Sequence, residues 1–229
     1  MTRKTLLICP LLLVFLLMGC RRVKELPETI DANYIEYEIE YLEDRAGDIP
    51  TKILPGTMDA YYTKYYVLTR INGFFNQFTL TQISDLKRKR VTTLLNFFGN
   101  KVCYAGEPGE LPAGIVEPAL MKIHLTGETS VIGGLNSEKL DVETDQENYS
   151  IYFTKDFSVR RPNISTPYRM VDDPLTDFRI QLSLLKMHLS CSSMEFKAVE
   201  SKIFTIPKEY KAVNRATMEE IINSLFTKD

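Results

Sequence analysis

The sequence predicts a mainly β protein of the α+β class, in which an antiparallel sheet precedes one short C-terminal helix. Apolar residues alternate with glutamates over residues 34–42, which is the pattern of a strand buried on one face. Asn72-Gly73 stands between two apolar segments and is a strong signal for a two-residue hairpin turn. Residues 217–225 then change to a helical period. These features indicate strands joined by tight turns and followed by a helix.

Residues 1–19 have the organisation of a bacterial lipoprotein export signal. A short basic start, Arg3-Lys4, is followed by an almost wholly apolar run, and a small residue, Gly19, precedes Cys20. We therefore predict that the signal is removed and that Cys20 carries the lipid, with palmitate among its acyl groups.

Two other interpretations of these residues stay open. A transmembrane anchor is the first, although the apolar run is shorter than the roughly 18–20 residues that a spanning helix needs and Pro10 interrupts it. An ordinary secretory signal is the second, because Met18 is not the small residue usually found two positions before a lipidated cysteine. Lipidation agrees best with the Gly19-Cys20 pair.

A lipidated Cys20 would anchor the chain without any polypeptide entering the bilayer, since several acyl chains at about 0.8 kcal/mol per buried CH₂ give stable attachment. Residues 20–32 would form a polar tether interrupted by Pro27. Residues 33–229 would form a single globular domain. The basic residues after Cys20, beginning with Arg21, favour the periplasmic face of the outer membrane.

The charge balance argues against a nucleic-acid partner. Removal of the signal takes Arg3 and Lys4 with it and leaves 26 basic residues against 30 acidic ones. No segment has the pattern of a nucleic-acid site, and no segment has a cofactor-binding motif. We expect neither nucleic acid nor a cofactor.

Cys103 and Cys191 are the thiols left in the mature domain, because Cys9 leaves with the signal and Cys20 takes the lipid. Both lie in strand-like segments, and an oxidising compartment would permit a disulfide between them. Two buried free cysteines are the equal alternative.

No residue pattern specifies a reaction, and we expect neither catalysis nor a metal site. His124 and His188 lie in apolar strand patterns, where a hydrogen-bonded structural histidine is the usual case. The serines of residues 190–193 are near His188 in sequence, but this spacing does not by itself form a nucleophile and base pair. The glutamates of residues 34–42 are typical of the solvated side of a strand. The common hydrolase, protease, redox and phosphate-binding motifs are missing from the sequence.

The middle of the chain predicts a meander with a turn at Gly99-Asn100. Its strands are expected over residues 61–71, 74–83, 90–97 and 101–105. The basic run 87–90 falls at the turn between two of them. It either solubilises that turn or contacts anionic lipid headgroups or lipopolysaccharide phosphates.

Further strands follow, separated by segments rich in Gly and Pro. Residues 106–118 predict a loop, Gly133-Gly134 a turn, and residues 160–177 a long irregular excursion. The apolar phase flips within residues 180–189, which indicates a bulge or a strand buried on both faces. Strands are also expected over residues 120–125, 139–143, 149–157 and 195–204.

The terminal helix is expected to begin at a capping box over residues 217–220. Its apolar stripe should pack on the sheet. The stripe comprises Met218, Ile221, Ile222 and Leu225.

Two stretches resemble uncharacterised lipoprotein domains common in Bacteroidota, namely VTTLLNFFGNK at residues 91–101 and FTIPKEYK at residues 204–211, followed by the terminal helix. Those domains are in turn similar to the LolA/LolB lipoprotein-carrier superfamily. The resemblance covers most of residues 33–227. It implies a strongly curved antiparallel sheet, or half-barrel, that wraps helices and forms a lipid-binding hollow. It identifies no functional residue here.

Two functions follow as expectations. If the resemblance holds, the concave apolar face binds an acyl chain or another hydrophobic ligand, driven by burial. Alternatively, the anchored domain is a scaffold that binds another envelope protein through its sheet edge or through residues 160–177. An open apolar hollow would favour the ligand, and a solid core with an exposed apolar patch would favour the protein partner.

Overall fold

A computed structural model describes residues 27–73 and 77–226. These residues form one α-helix, α1 (Arg215–Ser224), and fourteen strands. The strands are β1 (Thr29–Tyr41), β2 (Arg45–Ala46), β3 (Ile49–Pro50), β4 (Thr57–Tyr62), β5 (Tyr66–Gly73), β6 (Phe78–Asp85), β7 (Arg90–Phe97), β8 (Asn100–Ala105), β9 (Met121–Ile132), β10 (Leu135–Thr144), β11 (Asn148–Thr154), β12 (Leu175–Leu182), β13 (Leu185–Glu200) and β14 (Lys211–Ala212).

Twelve strands form one sheet in the order β14-β8-β7-β6-β5-β4-β1-β13-β12-β11-β10-β9, and β2 pairs with β3. The sheet is curved and open rather than closed into a barrel, which confirms the predicted mainly β class with a short C-terminal helix. At its centre, β1 and β13 pair antiparallel over the whole length of β1, with one irregularity between Glu36 and Tyr37. The short β14 joins the sheet by parallel pairing with β8.

The concave face of the sheet holds the main hydrophobic core. Strand alternation turns Ile35, Tyr37 and Ile39 inward, while the glutamates between them face outward. The sheet curves far enough for side chains of β4, β5 and β6 to meet side chains of β12 and β13. Helix α1 completes this core with Met218 and Ile222, both almost wholly buried.

A smaller cluster covers the convex face. Leu68, Leu94 and Cys103 belong to it, whereas an adjacent residue on each of their strands belongs to the main core. Alternate side chains of β5, β7 and β8 therefore point to opposite faces of the sheet. Phe204, which follows β13, completes the convex cluster.

Cys103 and Cys191 are free and buried, so the disulfide alternative is not the one observed. Cys191 on β13 lies in the main core, and Cys103 on β8 lies in the convex cluster. Five strands separate β8 from β13 in the sheet. Because a disulfide needs Cα atoms within about 7 Å, the two thiols cannot pair without rearrangement.

The first strands differ from their predicted bounds. β1 begins at Thr29, so the end of the predicted 20–32 tether belongs to the sheet. The single strand predicted over residues 61–71 is two strands, β4 and β5, separated by a turn. Thr63 forms that turn, because its Oγ1 accepts hydrogen bonds from the amides of Tyr65 and Tyr66 at 3.3 and 2.9 Å.

The phase flip over residues 180–189 is a hairpin rather than a bulge. β12 ends at Leu182 and β13 begins at Leu185, with Ser183 at a φ of 53° in the turn. The apolar pattern therefore restarts on a new strand. β13 then continues to Glu200, and a 3₁₀ turn, Ser201–Phe204, replaces the end of the strand predicted over residues 195–204.

Helix α1 begins earlier than the predicted capping box over residues 217–220. Asn214 is the N-cap, and its side-chain oxygen accepts a hydrogen bond from the Thr217 amide at 2.8 Å. The predicted stripe faces the core, with Met218 and Ile222 at its centre.

The predicted signal, Cys20 and the first part of the tether lie outside the described residues. Within residues 27–73 and 77–226, no helix combines the length and apolarity needed to cross a membrane.

Candidate functional site

Two hollows lie at opposite ends of β1. The first, which we name the apolar pocket, is lined by Tyr41 at the end of the strand. The second, which we name the basic cleft, is lined by Asp31 and Asn33 near its start. At about 3.3 Å per residue, the eight steps from Asn33 to Tyr41 separate the two hollows by roughly 26 Å.

The apolar pocket has a volume of about 160 Å³ and is lined by aliphatic, aromatic, methionine and proline side chains. They come from distant parts of the chain, among them Leu54, Leu80, Leu185 and Phe226. The hydroxyl of Tyr41 donates a hydrogen bond to the Pro55 carbonyl at 2.6 Å. Tyr41 therefore presents no unpaired hydrogen-bond donor to the apolar pocket, and burial raises the pKa of its hydroxyl.

Phe98 forms part of the pocket rim and has an unusual backbone. It lies in the β7–β8 turn at a φ of 48°, followed by Gly99 at 84°. A bulky side chain is rare in this left-handed region. Its ring packs edge-on against Phe97 with a centroid distance of 4.8 Å, yet 66% of the residue is exposed.

The segment after α1 forms another wall of the apolar pocket, through Leu225 and Phe226. The Asp48 amide donates a hydrogen bond to the Phe226 carbonyl at 3.2 Å. Gly47 permits this approach, because a Cβ at that position would lie 2.1 Å from the same carbonyl oxygen. The short β2–β3 hairpin therefore fixes the C-terminal end of the fold against the pocket.

A third hollow, of about 240 Å³, is lined by a mixture of polar and apolar side chains, among them Arg179 and Ile180. Two further hollows between β4–β6 and β12–β13 have volumes of only about 20 and 30 Å³. Tyr37 and Phe178 occupy this region, with their rings at 5.5 Å in an edge-on arrangement. Of these hollows, the apolar pocket at the Tyr41 end of β1 is the one with an apolar lining throughout.

His188 lies between two carboxylates on the outer side of β13. Its Nε2 is 2.8 Å from Asp177 Oδ1, and its Nδ1 is 3.2 Å from Glu40 Oε2. Ser192 donates to the Glu36 carbonyl at 3.0 Å rather than to the histidine. Both ring nitrogens are thus already engaged, and no serine of residues 27–73 or 77–226 is hydrogen-bonded to the ring.

His124, the other histidine considered in the sequence analysis, lies on a different strand from His188. It is exposed on β9, with its Nε2 4.0 Å from Glu143 Oε2. Among residues 27–73 and 77–226, no group of three or more His, Cys, Asp or Glu side chains is placed to hold a metal ion.

The four cations of the basic run 87–90 fall into two groups, two that form ion pairs within the described part of the chain and two that do not. Arg88 pairs with Asp85 at 3.0 Å, and Arg90 pairs with Glu107 at 2.9 Å. Lys87 and Lys89 instead line the basic cleft, a hollow of about 1200 Å³. Residues from the predicted excursion over 160–177 also line the same cleft.

Sequence reasoning did not identify the residues of the apolar pocket, because they come from separate segments between Tyr41 and Phe226. One local feature of the sequence could have indicated the exposed ring of this pocket. Phe97-Phe98 precedes a Gly turn, and strand alternation would leave one of these two rings facing solvent.

Comparison with known proteins identifies a similar fold. No family model matches the chain, and no curated protein matches it. Two crystal structures of PNGF-II, in space groups C2 and P21, match with TM-scores of 0.54 and 0.53 at 14% sequence identity. Each match covers 84% of this chain and 33% of the other, so the chain spans about a third of the length of PNGF-II. At this identity the similarity is one of fold alone.

Proposed function

We propose that this protein is a membrane-anchored lipoprotein of the bacterial envelope, attached through Cys20, that binds a small hydrophobic ligand without catalysing a reaction. The apolar pocket is the single observation that carries the proposal. The resemblance to the LolA/LolB lipoprotein carriers supports it, and the periplasmic face of the outer membrane is the proposed location.

The size of the apolar pocket limits the ligand. A cavity of about 150 Å³ lined by aliphatic and aromatic residues can bind benzene. The volume of 160 Å³ therefore suits a ring, a short branched chain or the end of an acyl chain, rather than a whole lipid. Full burial of a group the size of a Leu or Phe side chain would contribute about 1.5–3 kcal/mol before the cost of association.

Phe98 gives independent support to this proposal. An exposed aromatic side chain in the left-handed region is unfavourable for folding, and such strained positions occur often at ligand sites. The ring stands at the rim of the apolar pocket, where it can cover a bound ligand.

A homologous series of benzene, toluene, ethylbenzene and butylbenzene tests the pocket. The test uses the chain from residue 27 to 229, which contains every described strand, the helix and both hydrophobic clusters. Binding, measured by NMR shifts and by the rise in Tm, is expected to strengthen along the series and to level off when the pocket is full.

Phe98→Asp should weaken binding about five- to tenfold, because it removes a wall and adds a carboxylate beside an apolar ligand. Phe196→Asp is the matched control, since Phe196 is 69% exposed on β13 and does not line the pocket. Equal weakening by both variants, or no saturable binding by any compound, would contradict the proposal.

Anchoring is a separate part of the proposal and has its own test. In a bacterial host, labelled palmitate should be incorporated into the full chain and lost in Cys20→Ala. A fully labelled alanine variant would show that Cys20 is not the lipidated residue.

A protein-binding scaffold is the second candidate, and the edge strand β9 favours it. β9 ends the sheet order, and Leu125 and Val131 on it are 64% and 68% exposed. A long edge strand with exposed apolar side chains can accept a strand from a partner. A photo-crosslinker at Val131, but not at Phe196, would then capture one defined envelope protein, and Leu125→Lys would abolish that product.

A further inference from the structure

The basic cleft concentrates positive charge in a chain whose formal net charge is −2. Of the cations that line it, Arg161 pairs with Asp172 and Arg169 pairs with Glu117. Four others have no ion-pair partner among the described residues: Lys64, Lys87, Lys89 and Arg160. Asp31 is the remaining carboxylate of the lining. The cleft therefore keeps uncompensated positive charge on three separate segments.

Hydrogen bonds hold the walls of the cleft together. The Gly109 amide donates to the Lys89 carbonyl at 2.8 Å, and Arg169 Nη1 donates to the Gly109 carbonyl at 2.8 Å. Within the excursion, buried Asn163 donates to the carbonyls of Val171 and Asp173, both at 2.8 Å. The cations are thus carried by loops fixed relative to one another.

Exposed apolar groups lie beside these charges. Tyr65 is 51% exposed with Lys64 Nζ 5.4 Å from its ring centroid, and Met170, which also lines the cleft, is 60% exposed. Cations next to aromatic and aliphatic side chains are typical of surfaces that lie at a membrane interface.

The cleft lies near the start of β1, the first strand of the sheet along the chain. The Ser201 amide donates to the Glu28 carbonyl at 2.9 Å, and Asp31, three residues later, already lines the cleft. From Cys20 to Glu28 the chain can extend at most about 30 Å. A lipid on Cys20 would therefore keep this end of β1 close to the bilayer and place the apolar pocket at the far end.

We infer that the basic cleft binds the phosphate headgroups of an anionic membrane. This inference rests on the proposed anchoring at Cys20, because the tether is what brings the cleft to a lipid surface. The two uncompensated lysines of the 87–90 turn and Arg160, which also lines the cleft, are the residues that meet the headgroups.

Vesicle co-sedimentation tests the inference with the chain from residue 27 to 229, which lacks both Cys20 and the basic residues of the tether. Phosphatidylcholine vesicles are compared with vesicles that also contain phosphatidylglycerol. Binding is expected only to the anionic vesicles and should decrease as salt is raised. The triple variant K87E/K89E/R160E should bind at least about tenfold more weakly.

The control is K52E/K122E/K208E, which changes the net charge equally at exposed lysines that do not line the cleft. The control should weaken binding much less than the cleft variant. Equal binding by the two triple variants would overturn the inference, as would a wild-type chain that binds inorganic phosphate but no anionic vesicle.

These outcomes are distinct from those of the proposed function. The vesicle assay uses a chain without Cys20, so a failed palmitate label cannot alter its result. The alkylbenzene series reports on the opposite end of β1, and the cleft variant should keep that binding.

Discussion

The hydroxyl of Tyr62 lies 2.8 Å from the hydroxyl of Tyr37 in the interior of the sheet. Tyr37 donates its own proton to the Leu175 carbonyl at 2.6 Å, so Tyr62 is the donor to Tyr37. This chain of hydrogen bonds joins β4, β1 and β12 across the concave face. Burial raises the pKa of Tyr37 and raises that of Tyr62 to about 12, so both remain protonated near neutral pH.

Tyr37→Phe should destabilise the fold by about 1–3 kcal/mol, because it leaves the buried Leu175 carbonyl and the Tyr62 hydroxyl without their partner. Tyr62→Phe should have a smaller effect, since Tyr37 keeps its bond to Leu175. Urea unfolding of both variants measures the difference. A larger loss in Tyr62→Phe would contradict the assigned direction of the hydrogen bonds.

The folding stability conferred by His188 should depend on pH. Burial alone would lower the pKa of His188, but hydrogen bonds to Asp177 and Glu40 raise it above its usual value of 6.5. The protonated ring therefore stabilises the folded state fully below about pH 6.5, and this contribution is lost as pH rises through the raised pKa. His188→Gln should be less stable than wild type near pH 6, with a gap in unfolding free energy that narrows as pH rises through the raised pKa.

His124→Gln is the control for this pH dependence, since His124 is exposed with its nearest carboxylate oxygen 4.0 Å away. Chemical unfolding at several pH values measures both variants. A His188→Gln gap that widens with pH would show that the histidine is not stabilised by its two carboxylates.

Phe98→Asn should stabilise the isolated protein by about 0.5–1 kcal/mol, because asparagine tolerates the left-handed backbone that Phe98 occupies. The same change should weaken binding at the apolar pocket. Phe196→Asn, at an exposed position in a strand, should give no such gain. Thermal unfolding checks the prediction, and a destabilised Phe98→Asn would mean that the ring is needed for folding.

Gly133→Ala should destabilise the β9–β10 turn more than Gly134→Ala does. Both glycines have positive φ, at 56° and 83°, so both variants bear the strain of a left-handed alanine, about 1–2 kcal/mol. At Gly133 the added Cβ would also lie 2.7 Å from the Cys191 carbonyl oxygen, whereas at Gly134 it meets nothing within 4 Å. Urea unfolding should separate the two variants by on the order of 1–3 kcal/mol.

Thiol titration tests the separation of Cys103 and Cys191. In the chain from residue 27 to 229, both thiols should react slowly while the protein is folded and fully once it is denatured without reductant. Burial raises the pKa of Cys191 to about 11 and also raises that of Cys103, so little thiolate is present at neutral pH. A denatured, unreduced chain with no reactive thiol would show that a disulfide forms.

Much of the fold could be predicted locally. β7 matches its predicted bounds, and the Gly133-Gly134 turn connects β9 with β10 as expected. The strand predictions were wrong at two turns whose local sequence resembles that of a continuous strand. The hairpin at Ser183 mimicked a bulge because apolar residues line both of its strands, and Thr63 interrupted a predicted strand through a side-chain turn that no Gly or Pro announced.

The sequence by itself determined the strand content and the amphipathic terminal helix, because both depend on the spacing of neighbouring residues. The lipid signal is a prediction from the same kind of local pattern. The tertiary structure alone decided that Tyr41 and Phe98 share an apolar pocket, that Lys89 and Arg160 share a cleft, and that Cys103 and Cys191 are kept apart. These relationships depend on sheet order and curvature. Both follow from long-range strand pairing and from packing across the concave face, which no local pattern encodes.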